Sequence, residues 1–317
     1  MYTMEAPKKI TTFDESVLDR IGNTPLIKLE NLTKSLGLGK DIEIHAKTEW
    51  KNAGGSVKSR PALRMIQEGI KSKILEKGKI LLDSTSGNTG VAYSLIGKVL
   101  GFKVNLVIPG NVCKERKGLM ATAYDAELIM SDPMEQSDGA IRLAQEIYEK
   151  DPERYFMPDQ YNNPFNWMAH RDTTANEIWE QTGGKVTHFM AGIGTSGTLM
   201  GTTRGLKAKN SDLLCYAIEP AEALHGIEGL KHMDSSIIPG IYDPSVYDEK
   251  LPVKTEEAYK MVNLIEKEEG LLVGQSSGAA IVGAVKLAET IGKGIIVTVF
   301  PDSCMECGIA HGDFSFE

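Results

Sequence analysis

The sequence predicts an α/β protein with two sheets, and two observations carry the prediction. Short β-branched runs alternate along the chain with segments of helical pattern, as in parallel sheets covered by helices. The apolar runs at residues 80–82, 104–108 and 294–300 are of strand length and uncharged, as expected of strands buried on both faces. A length of 317 residues fits two domains of roughly 150 residues each.

The elements follow in order. Residues 42–47, Ile-Glu-Ile-His-Ala-Lys, read as the first strand. A helix over 60–71 carries Pro61 in its first turn, where a missing N–H costs nothing. A strand over 79–83, a helix over 89–100 and a strand over 103–108 come next. A helix over 115–123, a strand over 127–130 and a helix over 137–150 continue the alternation. Residues 155–166 are rich in turn formers, with Asn162-Asn163-Pro164 among them, and mark a crossing between domains. A helix over 169–181, a strand over 187–191, a helix over 198–208 and a strand over 213–218 resume the pattern. Helices over 255–269 and 278–290 and a strand over 294–300 complete it, and no internal repeat is present.

Charge narrows the function. The balance of 35 Lys+Arg against 43 Asp+Glu gives a net charge of -8, which argues against a nucleic-acid binder, since that needs clustered cations. The first ten residues lack a signal-peptide core, and no stretch approaches the roughly 20 apolar residues of a membrane span. Four cysteines in a chain of this size fit a reducing, cytoplasmic location.

Glycine is in excess, 32 of 317 residues, against a usual share of about 7%. Four clusters hold much of its meaning: Gly54-Gly55-Ser56-Val57-Lys58, Ser86-Gly87-Asn88-Thr89-Gly90, Gly192-Ile193-Gly194-Thr195-Ser196-Gly197-Thr198 and Gly274-Gln275-Ser276-Ser277-Gly278. Each precedes an expected helix, where glycine lets a ligand approach the amides and the helix start offers unsatisfied N–H groups and positive partial charge. Such loops form cups for anions inside an acidic protein.

The third cluster fits two readings. Gly192-x-Gly194-x-x-Gly197 matches the dinucleotide fingerprint, and Glu219 ends the next strand where a ribose-binding acid would stand, about 20 residues on. On that reading the chain is an NAD-dependent oxidoreductase. Against it, the hydroxyls of Thr195, Ser196 and Thr198 suit a terminal phosphate better than a bridging pyrophosphate. Lys58 separates the two: at a helix entrance, with the helix field and Arg60 both disfavouring a second cation, it can lose its proton and form a Schiff base.

Together these motifs resemble the cysteine synthase family, pyridoxal-phosphate enzymes of fold type II, from Ile21-Gly-Asn-Thr-Pro-Leu26 to Phe300-Pro-Asp-Ser303. The resemblance implies two open twisted sheets flanked by helices, as in tryptophan synthase β. It implies a smaller domain at 52–160 with a mobile substrate-carboxylate loop, and a larger one at 12–51 plus 161–317 with the phosphate cup. Asn52-Ala-Gly-Gly-Ser-Val-Lys-Ser-Arg60 is similar to the cofactor-lysine segment, so Lys58 is implied as the residue that carries pyridoxal 5'-phosphate and acts in catalysis. The family usually has Pro at Ala53 and Asp at Ser59. Thr85, Ser86, Gly87, Asn88 and Thr89 resemble the loop that grips the substrate carboxylate, with Asn88 beside the ring hydroxyl, and Gln160 resembles a second carboxylate contact. Gly194, Thr195, Ser196, Gly197 and Thr198 resemble the phosphate cup, and Ser276 the serine that meets the pyridine nitrogen.

A neutral serine there leaves the ring nitrogen largely unprotonated, which favours β-elimination and β-replacement over transamination. The implied reaction forms L-cysteine through an aminoacrylate, with Lys58 moving the α proton. Arg60-Pro-Ala-Leu-Arg-Met-Ile66, Thr198-Leu-Met-Gly201 and the segment 233–244 look most like the M-type branch. Some members of that branch use O-phosphoserine or a thiocarboxylated carrier protein. The phosphoserine users carry an arginine where Ala221 and Glu222 stand here, so O-acetylserine is the expected substrate and sulfide or a carrier protein the sulfur source. A cystathionine β-synthase-like replacement shares most of the motifs, and a catalytically silent regulator is a third possibility. A homodimer is implied, as are a sulfur-carrier protein or serine acetyltransferase as partners.

Cys304-Met-Glu-Cys307 reads as a redox switch, a sulfur relay or two unrelated thiols, and without a second ligand pair no metal is expected. The histidines have no ligand spacing and are expected in packing or at the surface. The tail from Ile309 is expected to be disordered.

Overall fold

The computed structural model describes residues 15–303 except Ser86. The chain opens with β1 (Leu26–Lys28), α1 (Glu30–Ser35) and β2 (Ile42–Thr48). A second group follows: α2 (Ser59–Lys71), β3 (Ile80–Ser84), α3 (Asn88–Leu100), β4 (Lys103–Pro109), α4 (Lys114–Gly118), β5 (Glu127–Ser131), α5 (Gln136–Lys150) and β6 (Tyr155–Phe156). The return leg holds α6 (Pro164–Asp172), α7 (Thr174–Gln181), β7 (His188–Gly192), α8 (Gly197–Lys207) and β8 (Leu214–Pro220). Last come β9 (Glu249–Val253), α9 (Thr255–Glu269), α10 (Gln275–Ala288) and β10 (Gly294–Phe300).

Two sheets result, as the alternation predicts. The smaller is parallel in the order β5-β4-β3-β6, and the larger runs β1-β2-β10-β7-β8-β9 with only β1 antiparallel. Apolar clusters fill both faces of each sheet, which is why the strands read as continuous apolar runs. Among the described residues no helix is long and apolar enough to cross a membrane.

Strand order fixes where a ligand can sit. In the smaller sheet the chain grows outward from β3 through β4 to β5, and β6 lies on the other side of β3. In the larger, β7, β8 and β9 grow one way and β10 lies on the other side of β7. Each sheet therefore has a topological switch point, beyond whose carboxyl-terminal strand ends a crevice opens. The segments that follow β3, β6, β7 and β10 carry Thr85 and Gly87–Thr89, Gln160, Gly194–Thr198 and Asp302.

Several elements escaped the sequence reading. β1 and β6 are too short for a periodic pattern, and β9 contains Pro252, tolerated because the strand is at the sheet edge. The helix expected over 169–181 is two helices, and the first begins inside the stretch read as irregular. Asn163 caps it by accepting from Phe165 N at 3.0 Å, and Pro164 supplies the first turn. The break falls at Thr173, whose hydroxyl donates back to Ala169 O at 2.7 Å. The helix expected over 115–123 changes at Leu119 to a wider π turn, and α10 starts three residues before the expected 278, drawing the fourth glycine cluster into its first turn.

Candidate active site

The four glycine clusters converge as helix starts. α2, α3, α8 and α10 begin after Lys58, Gly87, Ser196 and Gly274, and at none of the four does the N-cap residue's own side chain bond the first turn. These helix starts gather around a cavity of about 520 Å³ lined by Lys58, Thr85, Gly87, Asn88, Thr89, Gln160, Gly194 and Thr195, and a helix start offers amides and positive partial charge to an anion. That set holds most of the site residues expected from sequence. Ser196, Gly197 and Thr198 lie behind the lining in the α8 terminus. Ser276 is buried in the first turn of α10, next to the cavity-lining Gln275. Ser86 lies outside the described residues, as do Cys304, Cys307 and the tail.

Lys58 is half-buried at the entrance of α2. Burial pulls its ammonium below the ordinary lysine range, partly offset by the Asp302 carboxylate. Arg60 does not set this shift, contrary to the sequence reading, because its charge is already matched. Its guanidinium donates to Glu49 Oε2 at 2.7 Å and Oε1 at 2.9 Å, and to Glu177 Oε1 at 2.6 Å and Oε2 at 2.8 Å. Lys47 joins Glu177 at 2.6 Å. Despite burial, these cations pull the Glu177 carboxyl down to about 2.

The segment that joins β3 to α3 is built around Thr85 and Gln160. Thr85 Oγ1 accepts from Gly87 N at 3.1 Å and Gly90 N at 3.0 Å, closing the turn. Thr89 Oγ1 donates to Gln160 Oε1 at 2.8 Å, and Gln160 Nε2 donates to Ser84 O at 2.7 Å. Asn166, which the sequence reading missed, joins this loop to the cup: its Nδ2 donates to Gln160 O at 2.7 Å and Thr195 Oγ1 at 3.1 Å. A Cβ on Gly197 would stand 1.9 Å from Asn166 Oδ1, so the cup needs glycine there. Ser196 takes the left-handed conformation, with φ 70°, to turn the chain into α8. His170 is buried behind the cup, with Nδ1 3.0 Å from Thr174 Oγ1 and Nε2 3.4 Å from Thr198 Oγ1. Burial holds it neutral.

Beneath the loop, Asp83 Oδ2 accepts from Tyr93 OH at 2.8 Å and Gln160 N at 3.2 Å. Burial raises its carboxyl from 3.8 to about 7. Between those values the folded chain holds a proton that the unfolded chain has released, so this group's contribution to stability falls as pH rises from about 4 to about 7. Asp83→Asn is expected to remove that slope. Urea midpoints of the two proteins at about pH 5 and pH 8 measure it, and identical pH dependences would refute it.

Glu219, the acid of the dinucleotide reading, is already engaged: Oε1 accepts from Met233 N at 2.7 Å, and Oε2 pairs with Lys250 at 2.6 Å. It holds the segment after β8 rather than facing the cavity.

Comparison with known proteins decides the family. The model of the family described as pyridoxal-phosphate dependent enzyme matches residues 17–302. The chain is 47% identical over 292 residues to the cysteine synthase of Aquifex aeolicus, covering 91% of this chain and 89% of that protein. The chain belongs to the cysteine synthase family of pyridoxal-phosphate dependent enzymes. It is 36% identical over 282 residues to cysteine synthase B of Escherichia coli, covering 89% of this chain and 90% of that one. The crystal structure of a cysteine synthase (OASS) from Entamoeba histolytica superimposes with a TM-score of 0.85 at 36% identity, covering 96% of this chain and 91% of the other. The two sheets flanked by helices are the fold type II arrangement, and the cofactor is pyridoxal 5'-phosphate.

The cavity fits that cofactor. A phosphate needs donors, which the α8 terminus and the hydroxyls of Thr195, Ser196 and Thr198 offer. Ser196 Oγ is buried without a partner among the described groups, as is Asn88 Oδ1. Orphaned polar atoms of this kind are expected where a polar ligand completes the bonding.

Proposed function

We propose that this chain makes L-cysteine from O-acetyl-L-serine and sulfide by β-replacement. The observation that carries the reading is one cavity that gathers an amine of lowered proton affinity, an uncapped helix start lined with hydroxyls, and a turn-closed carboxylate loop. The 47% identity to a cysteine synthase supports the same reaction.

When bound, the cofactor supplies an electron sink conjugated with the substrate's α carbon. The residues do the rest. Lys58 Nζ would bear the cofactor and serve as the base for the α proton, a task suited to an amine whose burial favours the neutral form. Gly194 to Thr198 would hold the phosphate end, and Asn88 would meet the ring hydroxyl. Ser276, a neutral group, would meet the pyridine nitrogen and direct the chemistry to the β carbon. Thr85, Ser86, Gly87, Asn88, Thr89 and Gln160 orient the substrate carboxylate. The Thr89–Gln160 bond would then be exchanged for bonds to that carboxylate.

The unit at residues 52–160, the homodimer, a sulfur-carrier or acetyltransferase partner and the cytoplasmic location belong to the same reading. The separate sheets support the first of these. Steady-state rates with O-acetylserine and O-phosphoserine, each with sulfide, test the substrate. Acetylserine is expected to have the higher kcat/KM, because Ala221 and Glu222 stand where a phosphate-binding arginine would be needed. A strong preference for phosphoserine would overturn the assignment.

A further inference from the structure

Asp302 is a half-buried carboxylate in the cavity wall to which the reading above gives no task. It follows β10, and its main chain is fixed on both sides. Ser56 and Asp302 form an isolated antiparallel bridge, and Val57 N donates to Pro301 O at 2.8 Å. The segment carrying Lys58 is thus fastened to the segment carrying Asp302. A Cβ on Gly274 would stand 2.3 Å from Asp302 Oδ1, so glycine lets the start of α10 approach that oxygen.

The side chain acts on two neighbours. Asp302 Oδ2 accepts from Asn88 Nδ2 at 2.5 Å. An amide has a donor end and an acceptor end, and turning Asn88 over would set Oδ1 against a carboxylate oxygen. The bond therefore selects one flip, and in that flip Asn88 Oδ1 is the buried acceptor without a partner noted above. The second neighbour is Lys58, whose ammonium the Asp302 charge favours.

We propose that Asp302 is a positioning residue for the cofactor: it fixes which end of the Asn88 amide faces the ring, and it places a negative charge in the wall of the cavity that Lys58 also lines. The proposal rests on the reading of Lys58 and Asn88 as cofactor contacts. The charged groups acting on Asp302 come from three other segments. Lys58 before α2 and Arg116 of α4 favour its ionised form, and Glu228, paired with Arg116 at 3.1 Å, opposes it. Burial also opposes ionisation, so the carboxylate acts fully only on the alkaline side of its raised range.

The test is a pH titration of the visible absorption of the holoenzyme, comparing wild type with Asp302→Asn and Asp302→Glu. In Asp302→Asn the cofactor is expected to stay linked to Lys58. The alkaline midpoint at which its band changes should move down by about one pH unit or more, because a stabilising negative charge has gone. Asp302→Glu should restore most of the difference. An alkaline midpoint that stays put in Asp302→Asn overturns the proposal. If that variant does not fold, Asp302→Ser removes the same charge in less space and must show the same downward shift. Failure of the underlying reading looks different: Lys58→Ala would then keep the wild-type band.

Discussion

Lys58→Ala is expected to fold and to lose both its visible absorption with pyridoxal phosphate and its cysteine-forming activity. Lys58 stands at the entrance of α2 without a side-chain cap bond, so truncation costs the helix little. The proton transfer alone should account for a fall of about 10²–10⁴-fold in rate, and loss of the covalent link adds to it. Circular dichroism establishes the fold, and the spectrum and steady-state rate give the result. A variant that kept both colour and turnover would remove Lys58 from the mechanism.

Arg60→Met should be the most destabilising single change near the site. It leaves Glu49, fully buried, and most of Glu177 without the cation that neutralises both, while Lys47 alone remains for Glu177. Breaking a buried ion pair from one side typically costs about 3–5 kcal/mol. The network ties α2 to the 3-10 turn at Glu49–Lys51 and to α7, so the loss should also loosen the segment that presents Lys58. Chemical denaturation of the two proteins measures it. A midpoint within experimental scatter of the wild type would mean that the guanidinium adds nothing to stability.

Much of this site could be read in the sequence because its chemistry is local. A glycine cluster that opens a helix is a contiguous signal, and the four clusters became the four uncapped termini around the cavity. The alternation of strand and helix gave both sheets for a similar reason. Contacts made across the fold left no such mark. Asp302 meets Asn88 over 214 positions of chain, and Asn166 meets Thr195 over 29. The one available hint was that Asp302 directly follows a buried strand, where α/β sheets gather functional groups. Glu219 shows the opposite error: its spacing fitted a ribose contact, but the main chain at Met233 and Lys250 of β9 had already taken it. Arg60 misled similarly, since its partners Glu49 and Glu177 stand 11 and 117 positions away and neither follows a local pattern.

The central claim is that Lys58 Nζ holds the cofactor. Borohydride reduction of the holoenzyme, followed by protease digestion and mass spectrometry, tests it most directly. The reduced pyridoxyl phosphate is expected on the peptide that contains Lys58, with the other cavity lysine, Lys231, unmodified. A label on Lys231 or on any other lysine, with Lys58 recovered free, would contradict it.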